Sequence, residues 1–108
     1  MSFGMPKCKI TVLKRTLNQD LIDAYLDEEY GGIGPCECFR DGQETVIEDY
    51  SAVPDDFCAS AWADIRKDIL IVALGGDMPG IRQRGTLIAG CTDWFRPVIF
   101  KLERMDNA

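Results

Sequence analysis

Five cysteines and no histidine set the chemistry this chain can attempt. Cys36-Glu37-Cys38 places two thiols one residue apart on a glycine-flanked loop, so that both sulfurs can reach one ion. Cys58 and Cys91 can complete an all-sulfur tetrahedral site for a soft metal or an iron–sulfur cluster. The same sulfurs can exchange electrons as thiol pairs. Structural zinc usually separates its paired cysteines by two to four residues, so the Cys-x-Cys spacing is a weak form of the motif. Packing competes with both readings, because an unpaired cysteine is among the most buried residue types and behaves as a small hydrophobe. Cys8 and Cys91, on strand-like segments, are expected in the core, whereas for Cys36 and Cys38 packing and thiol chemistry both stay open. Cys58 falls in the first turn of a long helical segment, where unpaired N–H groups and the helix dipole raise a thiol's reactivity. It also lies on the apolar side of that helix, which favours packing. Without histidine, a nucleophilic cysteine has only a carboxylate or a lysine for its base.

Two other stretches carry chemically capable residues. In Gly75-Gly76-Asp77-Met78-Pro79-Gly80, followed by Arg82 and Arg84, glycines allow close backbone approach and two arginines can fork onto phosphate or carboxylate. The loop follows the C-terminal end of its helix, which repels anions, and it lacks the lysine and the strand–loop–helix order of a phosphate loop. A helix stop at Gly75 and Gly76 is the simpler reading. Asp93 and Arg96 flank Trp94 and Phe95 between two strands, and large aromatics on such a loop either fold back or meet a partner. A small-molecule enzyme built on Asp77, Asp93, Arg82 and Arg96 would need those side chains to converge on a pocket. The remaining acids, from Asp27-Glu28-Glu29 to Asp55-Asp56, read as solvated surface.

The elements that must position these residues centre on Asp55 to Gly76. Phe57, Ala61, Ile65, Ile69, Val72 and Ala73 recur at helical spacing, with Asp55 or Asp56 as the cap and Cys58 and Trp62 widening the stripe. Ile69 to Leu74 is apolar almost all round, which predicts cover on more than one side. Cys8 to Leu17 alternates as a strand. Asn18 caps a short helix that carries Leu21, Ile22, Tyr25 and Leu26 and stops at Gly31-Gly32. Gln43 to Tyr50 is a second strand, and Thr86 to Cys91 and Pro97 to Met105 form a hairpin. These elements predict one α+β domain, with a mainly antiparallel four-stranded sheet packed against the long central helix plus a shorter N-terminal helix. A small, partly closed barrel is the alternative.

The sequence also resembles a family. GPC at 34–36, Phe39 with GQ at 42–43, FC at 57–58, Ala61-Trp62, Asp64-Ile65, GG at 75–76, PG at 79–80, CTD at 91–93 and RPVIFKLER at 96–104 together are similar to a family of short bacterial proteins common in anaerobes. The likeness runs from about Lys7 to Arg104. It implies a self-contained fold and brings no activity, substrate or cofactor with it. It also implies that Cys36, Cys58 and Cys91 are the usual cysteines, with Cys8 and Cys38 as extras.

Composition narrows the partners. The 108 residues carry a net charge of −6, with 46% hydrophobic and 28% charged residues, which suits a single folded domain. An acidic chain without a basic stripe is a poor match for nucleic acid or an anionic membrane. No stretch resembles a signal peptide or a bilayer span, and the odd cysteine count favours reduced thiols, so a cytoplasmic protein is expected. With no histidine and no catalytic constellation, the leading expectation is a non-catalytic binding or accessory domain that forms a homo-oligomer through Trp94 and Phe95. A cysteine-based metal or redox protein is the alternative, and the Asp/Arg enzyme comes after it.

Overall fold

A computed structural model describes residues 6–105. Its elements are β1 (Lys7–Arg15), α1 (Gln19–Tyr25), β2 (Glu44–Ile47), α2 (Ala59–Ala73), β3 (Thr86–Gly90) and β4 (Val98–Met105), with a 3₁₀ turn at Glu28–Tyr30. The four strands form one antiparallel sheet in the order β2-β1-β4-β3. The fold is therefore α+β, and the sheet is open.

Strand alternation decides which face is covered. Cys8, Ile10 and Val12 of β1 and Val98, Phe100 and Leu102 of β4 are buried on one face, with Ile10 opposite Leu102 and Val12 opposite Phe100. Leu13 is an extra residue in β1, a bulge that shifts the register before Lys14 meets Ile99. α2 lies across β3 and β4 and reaches β1. It presents Ala61, Trp62, Ile65, Ile69, Val72 and Ala73 to that face, all of them buried. Each fully buried aliphatic side chain of this size contributes about 1.5–3 kcal/mol.

Several element ends differ from the sequence expectation. α2 starts at Ala59 with Cys58 as its N-cap, so Cys58 precedes the first turn, and neither Asp55 nor Asp56 caps the helix. The two acids belong to a turn in which Asp56 takes a left-handed φ of 57°. Only one side of the far half of α2 is covered, since Ile71 and Leu74 are exposed. α1 ends at Tyr25, where Leu26 turns extended, well before Gly31-Gly32. Tyr25 points to solvent with 77% of its surface exposed, leaving Ile22 as the buried residue of the helix. The Asn18 side chain makes no cap bond; its amide donates instead to the Trp94 carbonyl. β2 is shorter than expected because the chain turns after Ile47, and Asp49 accepts from Ser51 in that turn.

The stop at Gly75-Gly76 is the expected one. Gly75 N–H donates to Val72 O at 3.1 Å and Gly76 N–H to Ile71 O at 2.8 Å, the paired bonds of a Schellman motif, with Gly75 at φ 100°. Among the described residues, no helix is long and apolar enough to cross a membrane.

Candidate thiol site

Four of the five cysteines, from three distant stretches of chain, line one cleft of about 360 Å³. Cys36 and Cys38 come from the loop between α1 and β2, Cys58 from the cap of α2, and Cys91 from the residue after β3. Phe39, Ala61, Asp64, Thr92, Asp93 and Arg96 complete most of the wall. Cys36 is buried, Cys58 and Cys91 are half-buried, and Cys38 is exposed. The fifth cysteine, Cys8, is fully buried in the sheet face.

Local interactions explain why each sulfur stays there. Arg15, at the end of β1, donates from Nη1 to the Cys36 carbonyl at 3.0 Å and from Nε to Asp41 at 3.1 Å, which ties the cysteine loop to the sheet. Phe39 anchors the same loop. It is buried edge-on against Phe57 at 4.9 Å and against Phe100 at 5.2 Å between ring centroids. Cys58 is fixed by the helix it caps, through Trp62 N–H donating to its carbonyl at 3.0 Å. Cys91 N–H donates to Val98 O at 3.1 Å, while Val98 N–H donates to Cys91 Sγ at 3.3 Å. Asp64 of α2 accepts from Thr92 N–H at 2.7 Å and from its hydroxyl at 3.0 Å, holding the 91–96 loop over the helix.

The sulfurs influence one another. The neighbouring Cys36 thiol, then burial, then the Cys58 thiol push the Cys38 thiol up to about 11. Cys38 therefore carries its proton at neutral pH. Among the described residues, no group of three or more cysteine and acid side chains has the arrangement of a metal site. The thiols are thus close enough to affect each other's ionisation without forming a ligand set.

Family models, curated proteins and solved structures were compared with the chain, and none matches.

The other candidate residues lie apart from one another. Asp77 accepts from Gly85 N–H at 2.6 Å and faces Arg84 at 3.7 Å, closing the 77–85 loop on itself. Gly75 and Gly76 serve the helix stop, and Arg82 and Arg84 are exposed. Asp93 pairs with Arg96 at 3.7 Å and accepts from the Phe95 and Arg96 amides at the other end of β3. Asp77 and Arg82 thus lie before β3, and Asp93 and Arg96 beyond it. Trp94 is 66% exposed, whereas Phe95 is half-buried. Neither Arg15, inside the segment expected to be a strand, nor Asp64 of the central helix is among the candidate residues the sequence singles out. The one available signal for Asp64 was its place one turn after Ala61 on the cleft side of the helix.

Proposed function

We propose that this chain is a small thiol–disulfide exchange protein whose working pair is Cys58 and Cys38, with Cys36 beside them. The reading is carried by the convergence of four cysteines on one cleft, with Cys38 electrostatically tied to both Cys36 and Cys58. Cys36 is buried, whereas the half-buried Cys58 lines the cleft beside Cys38, so the first attack on a disulfide falls to Cys58. Its thiolate bonds to one sulfur of the incoming disulfide and expels the other as a thiolate, which takes up a proton. Cys38 gives up its proton to water. Cys38 then attacks the Cys58 sulfur and releases the second small thiol. The balance is one protein dithiol oxidised and one external disulfide reduced to two thiols.

The test is to treat the reduced chain with the neutral disulfide bis(2-hydroxyethyl) disulfide, quench with acid, alkylate and map the peptides. The expected product has lost two hydrogen atoms in a Cys38–Cys58 bond, with Cys8 alkylated as a free thiol, and dithiothreitol reverses it. Five alkylated cysteines after prolonged exposure, or a scrambled set of bonds that includes Cys8, would overturn the reading.

A second reading concerns assembly. Trp94 exposes a large indole at a loop tip, and we propose that a second copy of the chain covers it, forming a homo-oligomer. Free thiols suit a reducing compartment, so the proposed location is the cytoplasm. The acidic charge sets the protein against nucleic-acid partners. The resemblance to the short bacterial family belongs to the same proposal, as a statement about the fold.

A further inference from the structure

The thiol cleft opens onto a second, larger cavity, and the two share Cys38, Phe39 and Cys58. This groove, of about 730 Å³, runs between the 37–45 segment and the turn at 55–58. Its volume lies in the range of small-molecule clefts, about 300–1,000 Å³. Phe39 and Phe57, in edge contact at 4.9 Å, add apolar lining beside Cys38 and Cys58. Its walls carry Glu37, Glu44, Asp55 and Asp56 against the single cation Arg40. Glu44 is paired with Lys9 at 3.2 Å, but among the described residues no ion pair engages Glu37, Asp55 or Asp56. The groove is thus a negative approach to two thiols.

We infer that the disulfide admitted to Cys58 is a cationic one, such as a cystamine-like diamine disulfide or a disulfide flanked by basic groups. The inference rests on the exchange reading above and adds the charge of its substrate. Two sulfurs at the end of a cavity identify where the substrate's own sulfurs must come, and the acids act on whatever flanks them. A substrate with ammonium groups several bonds from its S–S bond can lay them against Asp55, Asp56 and Glu37 while the disulfide meets Cys58. An anionic disulfide in the same position would meet unpaired carboxylates across a partly apolar cleft.

The test compares three small disulfides against the full reduced chain: cystamine (cationic), bis(2-hydroxyethyl) disulfide (neutral) and 3,3′-dithiodipropionate (anionic). Each rate is divided by the rate of the same disulfide with free 2-mercaptoethanol, which removes intrinsic differences in reactivity. The expected normalised preference for cystamine over the anion is about tenfold or more at low ionic strength, shrinking toward unity in strong salt. The double variant Asp55→Asn/Asp56→Asn should lose most of that preference and keep the neutral rate. Asparagine tolerates the left-handed backbone at position 56, so this variant adds no strain. Equal normalised rates for the three disulfides, or a preference that survives the double variant, would overturn the inference and leave the exchange reading standing. No reaction with any of them would sink the exchange reading and, with it, a disulfide substrate. Chemical-shift titration with 1,6-diaminohexane would then report separately whether the groove favours cations.

Discussion

Gly76 has no room for a side chain. A Cβ there would lie 2.6 Å from Ile71 Cγ2 and 2.8 Å from the Ile71 carbonyl oxygen, closer than real Cβ contacts come. The Gly76→Ala variant must therefore move the last turn of α2, at a cost of about 1–3 kcal/mol. Gly75→Ala, forced to φ 100°, is expected to lose about 1–2 kcal/mol. At Gly32 a Cβ would meet nothing within 4 Å, so Gly32→Ala should be nearly neutral. Urea-unfolding midpoints of the three variants check this ranking. A different residue-scale effect sits on the buried face of the sheet. Burial pushes the Cys8 thiol up from 9.0 to about 11. Burial, and then the nearby Cys8, push the Tyr50 phenol up from 10.0 to about 12. Both groups hold their protons more tightly folded than unfolded, so their contribution is complete below about pH 9 and drains away as pH climbs through about 11. Unfolding free energies measured between neutral pH and about pH 10.5 should fall. Cys8→Ala, less stable at neutral pH because it leaves a cavity, should show a shallower fall. An unchanged slope would mean that another group titrates.

At the scale of elements, the thiol cleft depends on two tethers outside the cysteines. Arg15→Gln removes the bonds from β1 to Cys36 and Asp41, so the loop should loosen and Cys36 should alkylate several-fold faster, read by timed iodoacetamide labelling. Asp64→Ala frees the Thr92 amide and hydroxyl, and the same assay should show the change at Cys91. Much of the scaffold was legible beforehand. The alternation of Cys8, Ile10 and Val12, the stripe from Ala61 to Ala73 and the closing hairpin each follow from local periodicity, and periodicity is written in neighbouring residues. Helix ends were less legible. Asn18 has the chemistry of a cap yet spends its amide on the Trp94 carbonyl, because the chain runs antiparallel to β4 just before it, with Thr16 N–H donating to Pro97 O at 2.8 Å. Asp55 and Asp56 likewise had cap chemistry, but the turn that carries them sets the first helical residue four or three positions later. The meeting of the cysteines was not legible at all, since Cys36, Cys58 and Cys91 are joined only by the sheet order and by where α2 crosses it.

For the whole molecule, shape matters more than core size. The radius of gyration is 15.5 Å, with extents of 52 × 32 × 20 Å, against about 13 Å for a compact chain of this length. The slab has one face of the sheet covered by α2, while its other face carries the ion pairs of Lys9 with Glu44 and of Lys101 with Glu103. Trp94 lies beyond the hairpin strands, held to Asn18 ahead of α1. Trp94→Ser should shift the protein toward monomer in analytical ultracentrifugation while leaving its circular dichroism unchanged. A wild-type chain that sediments as a monomer at micromolar concentration would remove the assembly proposal. The sheet order has a further consequence, in time. Among the described elements β4 is made after β1 and β3 yet pairs between them, so the β1–β4 and β3–β4 ladders close only once it has been synthesised. Until then Cys8 on β1 lacks its cover from β4, and Cys91 lacks the Val98 amide that meets its sulfur. The growing chain thus passes through a stage in which these two sulfurs lack the contacts β4 gives them. A disulfide closed on either sulfur at that stage would compete with the arrival of β4.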